Sequence, residues 1–297
     1  MALPVMRDPV FYQQLAAVVI PAYCRDFADE VQLLLKESGI PVLTVTRKDF
    51  VAELQQAIKK YGITIGLMVT FSYKLPAAVF NLPPGGFFNI HPGPLPGYRG
   101  PDPVFWQIKN REPYAGIAIH KVDDDFDTGS LVLSDKIRLN ATDTHGSLTT
   151  KLAELAARLT GVLIKMAGFG IAIPSRPQDE TRAKYYKKQS AADITINWQT
   201  MNAETIIALA NACNPWNKGA VIKLNNRILR ILVAEKHLNL SGTGKTPGSI
   251  SVLEDKTILV STLHNETLKL QFVYVDEGFL NASRLGEMGL VSGSCFT

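Results

Sequence analysis

Apolar positions in the first half of the chain alternate between two rhythms. Short unbroken apolar runs occupy 15–20, 40–45, 63–70 and 87–91, lengths that suit buried strands. Between the first two, Phe27, Val31, Leu34 and Leu35 recur at threes and fours and the stretch ends at Gly39, which predicts a helix over 26–38. Phe50, Leu54, Ala57, Ile58 and Tyr61 share one face of a second helix over 49–61. A helix over 103–110 and a strand over 116–122 follow. A long helix over 144–169 carries Leu148, Leu152, Leu155, Leu159, Val162 and Met166 on its inner face. Strands alternating with helices predict a mostly parallel sheet covered on both faces.

The rhythm changes after a polar stretch at 174–190. One helix is expected over 202–212. Short strand-like runs follow at 220–224, 228–234, 248–252, 257–262 and 268–275, punctuated by Gly and Pro. Such spacing suits a small β-barrel of the OB type. The expected organisation is therefore α/β: a mostly parallel Rossmann-like domain over 1–173, a linker over 174–190, and an OB-like C-terminal domain over 191–297.

Composition narrows the class. With 297 residues and 46% hydrophobic content, the chain can build its cores without staples. Cys24, Cys213 and Cys295 lie far apart with no Cys-x-x-Cys, which excludes a zinc knuckle or disulfide framework and fits the cytoplasm. No apolar run is long enough to span a membrane, and the first residues lack the layout of a signal peptide. The net charge of +4 is unevenly placed: from Ser190 onward nine Lys/Arg face nine Asp/Glu. A neutral domain makes a poor general grip on nucleic acid, because phosphate contacts supply most such affinity. Five bases and two acids fall between Arg176 and Lys188 and read as a solvated linker.

The candidate chemistry lies at the end of the 87–91 run. Asn89 and His91 stand two apart, so on a strand they share a face. The Pro/Gly-rich run that follows, through Pro94, Leu95, Pro96, Gly97, Tyr98, Arg99 and Gly100, stops the strand there. Reacting groups gather at such edges of open α/β sheets. Asp127, in Asp125-Phe126-Asp127-Thr128-Gly129, would meet the pair if its loop folds back. An amide can stabilise an oxyanion, an imidazole can move protons near neutral pH, and a carboxylate can orient the imidazole. His120 reads as a sheet residue. His237 and His264 lack partners at metal-ligand spacing, and Asp123 to Asp125 lack the Gly and Glu of an EF-hand loop, so no metal is expected. The aromatics Trp198, Trp216, Phe272 and Tyr274 read as core.

These motifs resemble the folate-dependent formyltransferase family, and nearly the whole chain takes part. The residues are Asn89-Ile90-His91, the Leu95-Pro96-Gly97-Tyr98-Arg99-Gly100 loop, and Asp127-Thr128-Gly129, with Asp127 thirty-six residues after His91. Met68 to Pro76 is similar to the family's strand and loop beside its pterin pocket. Asp143 to Leu148 is similar to the start of its long helix. Asn214-Pro215-Trp216 with Gly219-Ala220 resembles the C-terminal domain of the methionyl-tRNA formyltransferase branch. The resemblance implies Asn89, His91 and Asp127 as catalytic residues and 10-formyltetrahydrofolate as donor. It also implies a donor site at Phe71, Ser72, Tyr73, Leu75, Leu95, Val122, Asp123 and Asp125. The implied acceptor is a primary amine: that of charged tRNA, an amino sugar or a peptide-like metabolite. Water as acceptor would make a hydrolase, and loss of activity a folate-binding module. Three departures accompany the resemblance. A first strand with its Gly-rich turn is missing before residue 15, which would expose a central sheet position: the start is truncated, residues 1–14 are rearranged, or a partner or second copy fills the gap. A basic tRNA-gripping loop after Ile20 is missing. Asn211 and Cys213 stand where tRNA-binding relatives carry an arginine and an aromatic.

Overall fold

The computed structural model describes residues 2–224, 227–237 and 246–297. The chain divides into two compact units. One comprises residues up to Pro103, Ala115–Ile137 and Thr149–Tyr186; the other comprises Val104–Tyr114, Arg138–Leu148 and Lys187–Thr297. The architecture is α/β, with an antiparallel C-terminal sheet.

The N-terminal half runs α1 (Ala2–Arg7), α2 (Pro9–Tyr12), β1 (Val18–Pro21), α3 (Arg25–Leu35), β2 (Val42–Val45), α4 (Phe50–Tyr61), β3 (Gly66–Val69), α5 (Ala77–Phe80) and β4 (Phe87–His91). It continues with α6 (Pro103–Lys109), β5 (Tyr114–Lys121), β6 (Leu131–Arg138) and α7 (His145–Gly168). Local signals explain several boundaries. Asp8 caps α2 by accepting from the Val10 and Phe11 amides at 3.0 and 3.2 Å. Gly62 ends α4 in the left-handed region at φ 61°, where its N–H reaches the Ile58 carbonyl.

The sheet of this half lies in two pieces. β1 pairs with β2 in parallel, while β3, β4, β5 and β6 form a separate four-stranded sheet. Within the latter, β3–β4 is parallel and β4–β5 antiparallel. No described strand stands between β1 and β3. The Val18 and Ala22 amides bond toward β2, at 2.9 Å to Pro41 O and 2.8 Å to Val45 O, so the backbone of Val19 points the other way. The Gly66 amide bonds to Gly86 O at 3.0 Å, which turns the backbones of Leu67 and Val69 away from β4. A cavity of about 880 Å³ is lined by both edges and by Met6 and Phe11. On α7 the buried leucines are Leu148, Leu152, Leu155 and Leu163; Val162, expected inside, is exposed.

The C-terminal half comprises α8 (Ala191–Ile194), α9 (Ala203–Ala212), β7 (Ala220–Leu224), β8 (Arg227–His237), β9 (Ile250–Val252), β10 (Ile258–Ser261), β11 (Thr267–Val275) and β12 (Gly278–Asn281). The antiparallel order is β7-β8-β11-β10-β9, with β12 on β11. The last residues bridge the two outer strands. The Ile250 amide bonds to Ser294 O and the Phe296 amide to Gly248 O, both at 2.9 Å, while Lys223 and Thr297 exchange two backbone bonds. Trp198 is buried and stacks on Phe296, as a core aromatic should. Trp216 and Phe272, expected in the core, are each nearly half exposed.

Candidate active site

β4 is buried except at Asn89, and its end delivers His91 into the Pro92–Gly100 loop. Antiparallel register sets Asn89 directly opposite His120 on β5. The next loop folds back, and Asp127 arrives in the left-handed region at φ 61°, uncommon for a residue with a Cβ. Gly129 permits this return: a Cβ there would collide with the Lys121 carbonyl.

Four side chains thereby converge. Asn89 Nδ2 lies 3.2 Å from Asp127 Oδ1 and 3.2 Å from His120 Nε2. His91 Nδ1 and His120 Nε2 each stand 3.4 Å from Asp127 Oδ1. The other carboxylate oxygen accepts from the Gly100 amide at 2.9 Å. His91 Nε2 is 2.6 Å from Tyr98 O, and His120 Nδ1 is 2.8 Å from Lys121 O. A carbonyl only accepts, so each of those ring nitrogens carries its proton. In the neutral imidazoles, His91 Nδ1 and His120 Nε2 are then free to accept.

Burial decides the charges. His91 is 4% exposed. Loss of solvent pushes its imidazole below the ordinary value of 6.5, outweighing the pull of the Asp127 carboxylate and the Tyr98 carbonyl. Burial opposes ionisation of Asp127 too, yet the His120 and His91 rings when protonated, and the Gly100 amide, hold it below the ordinary carboxylate value. The resting site is a carboxylate facing a neutral imidazole.

The expected donor-site residues differ in burial and partners. Phe71 and Tyr73 are half-buried and meet edge to face at 5.3 Å, with Phe50 5.0 Å from Tyr73. Ser72 is exposed and accepts from the Tyr23 hydroxyl at 2.6 Å. Leu75 is buried against the core formed with Val79 and Phe80, so it supports the loop from beneath. Val122 packs on the same core and its amide bonds to Phe87 O at 2.8 Å. Asp123 accepts from the Thr128 hydroxyl at 2.7 Å, Asp125 is exposed and paired with Lys74 at 3.3 Å, and Leu95 is half-buried in its loop. Asn89, His91 and Asp127 do not line the large cavity between β1 and β3.

Sequence reasoning missed His120, Arg99 and Gln178 as parts of this site. A histidine directly after the apolar run 115–119 was the available signal for His120. Arg99 is buried and its fork meets Glu180 at 2.9 and 2.6 Å. Among the described residues no group of three or more His, Cys, Asp and Glu could hold a metal, and no helix is long and apolar enough to cross a membrane.

An α/β sheet whose strand end gathers an amide, two imidazoles and a buried carboxylate defines a group-transfer enzyme. Residues 14–162 match the formyl transferase family and residues 188–277 match the formyl transferase C-terminal domain. The chain belongs to the formyl transferase family, whose formyl donor is 10-formyltetrahydrofolate. It is 30% identical to a methionyl-tRNA formyltransferase of Desulforamulus reducens over 240 residues, 80% of this chain and 74% of that protein. In fold it is similar to HypX of Aquifex aeolicus in complex with tetrahydrofolic acid, with TM-score 0.64, 19% identity and 90% of this chain covered; the chain spans 46% of that protein. A sugar 3N-formyl transferase, WlaRD, solved with dTDP and 5-N-formyl-THF, aligns with TM-score 0.59 at 15% identity over 86% of this chain and 97% of that one.

Proposed function

We propose that the chain transfers the formyl group of 10-formyltetrahydrofolate to a primary amine of low molecular weight, with Asn89, His91 and Asp127 as the catalytic residues. One observation carries the choice of acceptor: four of the nine Lys/Arg from Ser190 onward are engaged by acids. Lys236 pairs with Glu266 at 2.5 Å, Lys269 with Glu235 at 3.0 Å, Arg284 with Glu287 at 3.2 Å and Lys256 with Glu287 at 3.7 Å. Lys245 lies outside the described residues. Phosphates would have to compete with these carboxylates. The connection from β1 to α3 is only Ala22, Tyr23 and Cys24, with no basic loop. Charged tRNA is the second reading, favoured by the methionyl-tRNA formyltransferase relative at 30% identity.

The chemistry follows from the proton positions. The amine nitrogen attacks the formyl carbon, and the carbonyl oxygen becomes negative. Of the two Asn89 amide hydrogens, one serves Asp127 and the other faces His120 at rest. An oxyanion is a stronger acceptor than a neutral imidazole, so it draws that second N–H. His91 Nδ1 takes the proton lost by the amine, and Asp127 stabilises the resulting imidazolium. The carbon–nitrogen bond to the folate breaks and His91 returns the proton to the departing nitrogen. The products are an N-formyl amine and tetrahydrofolate. On the donor side, Phe71, Ser72, Tyr73, Leu95, Val122, Asp123 and Asp125 frame the pterin, with Leu75 behind them.

The test is incubation with 10-formyltetrahydrofolate and a panel of amino sugars, peptide-like amines and charged initiator tRNA. Tetrahydrofolate release should require a small amine that gains about 28 Da, the mass of an added CO. Equal release without any amine indicates a hydrolase. Formylation of tRNA alone restores the second reading, and donor binding with no turnover indicates a binding module.

A further inference from the structure

Residues 176–186 run along the loops of the active site. Leu131 and Arg176 exchange backbone bonds of 2.8 and 2.9 Å, Lys184 N donates to Pro96 O at 3.0 Å, and Arg99 N donates to Lys184 O at 3.0 Å. Tyr186 N donates to Arg99 O at 2.8 Å, and its ring stacks on Tyr98 at 4.9 Å. Gly100, at φ 99°, is what lets the strand lie so close: a Cβ there would collide with the Tyr186 carbonyl.

Gln178 sits in the middle of this segment. Its Nε2 donates to Asp127 O and to Gly129 O, both at 2.8 Å. Its Oε1 accepts from Arg99 Nε at 3.3 Å and Nη2 at 3.0 Å. One side-chain amide thus uses all its donors and acceptors. The two carbonyls it grips flank the turn in which Asp127 holds its left-handed conformation. Both residues are buried, so without Gln178 those oxygens lose a partner that water is poorly placed to replace. A left-handed conformation in a non-glycine residue is strained and persists only where neighbours enforce it.

We propose that Gln178 is a positioning residue for formyl transfer: it pins the Asp127 turn so that the carboxylate faces His91 and accepts from Asn89. Arg99, braced by Glu180, holds the glutamine in place. This rests on the catalytic reading of Asn89, His91 and Asp127 given above.

Two variants separate the possible roles. Gln178→Met keeps the length and loses every hydrogen bond. Gln178→Glu keeps the acceptor for Arg99, and hence the anchor of the segment, but loses both donors. Both should lower kcat roughly 10- to 100-fold, the usual consequence of a displaced reacting group, with the donor KM changed less than about threefold. Titration of the isotope-labelled His91 ring by NMR supplies a readout without turnover. With Asp127 displaced, the ring loses the charge that raises its pKa, so its titration should move further down. If both variants only lower the melting temperature and leave kcat and the His91 titration as in the parent, the proposal is wrong. If Gln178→Glu keeps full activity while Gln178→Met loses it, Arg99 anchoring alone matters and the grip on the two carbonyls is not required. Should the parent enzyme fail to transfer formyl groups while the His91 titration still responds to both variants, the functional reading fails and the positioning role stands.

Discussion

The role proposed for His91 depends on the carbonyl of Tyr98, 2.6 Å from Nε2. That bond fixes one tautomer and leaves Nδ1 as the base. A buried imidazole beside a carboxylate is pulled both ways, and here the loss of solvent prevails. The sign sets the pH profile. The base form is needed, and the lowered pKa keeps it populated below the ordinary 6.5. The half-point of the acid limb of kcat should therefore lie below pH 6.5, where His91 takes up a proton. In Asp127→Asn the acid limb should move lower again, because the counter-charge is gone. His91→Ala should cost about a hundredfold or more in kcat on the neutral plateau and lose the acid limb. A kcat that halves near pH 7 would contradict a neutral resting imidazole.

At the scale of elements, β4 and β5 do the positioning, and their contrast with β1 and β3 is open to measurement. Residues 115–120 of β5 are all buried and lie between β4 and β6. β1 and β3 each have one paired neighbour, and the backbones of Val19, Leu67 and Val69 face the cavity between them. Amides at those three positions should exchange with deuterium markedly faster than those of Ile90 and Ile119. Equal protection would mean that the open edges are closed in solution. Continuous apolar runs made β3, β4 and the inner strands of the C-terminal half legible in the sequence. Less regular elements were hidden: β6 ends in Ser-Asp-Lys-Ile-Arg with mostly outward residues, and β12 alternates half-buried with exposed positions. The Asn89–His91–Asp127 set was readable from strand parity and loop composition. His120 was not, since its place in the site comes from cross-strand register with Asn89. Gln178 was harder still, because its contacts reach back about fifty residues from a stretch whose composition suggests only solvation.

Across the whole molecule, charge separates the two acceptors. Surface ion pairs such as Lys269–Glu235 add at most about 1 kcal/mol to stability. Their greater effect is on binding: each base is already near an anion, and a phosphate would have to displace it. Gripping an RNA through six to ten phosphates makes affinity fall about 10³- to 10⁵-fold between 50 and 200 mM salt. A small amine displaces few or no condensed counterions, so kcat/KM for it should change less than about twofold over the same range. The measurement is one acceptor series at several salt concentrations. For charged initiator tRNA the same enzyme should turn over slowly even at 50 mM salt. A tRNA rate that exceeds the small-amine rate at low salt and collapses as salt rises would show a phosphate-binding surface, and would move the acceptor back to tRNA.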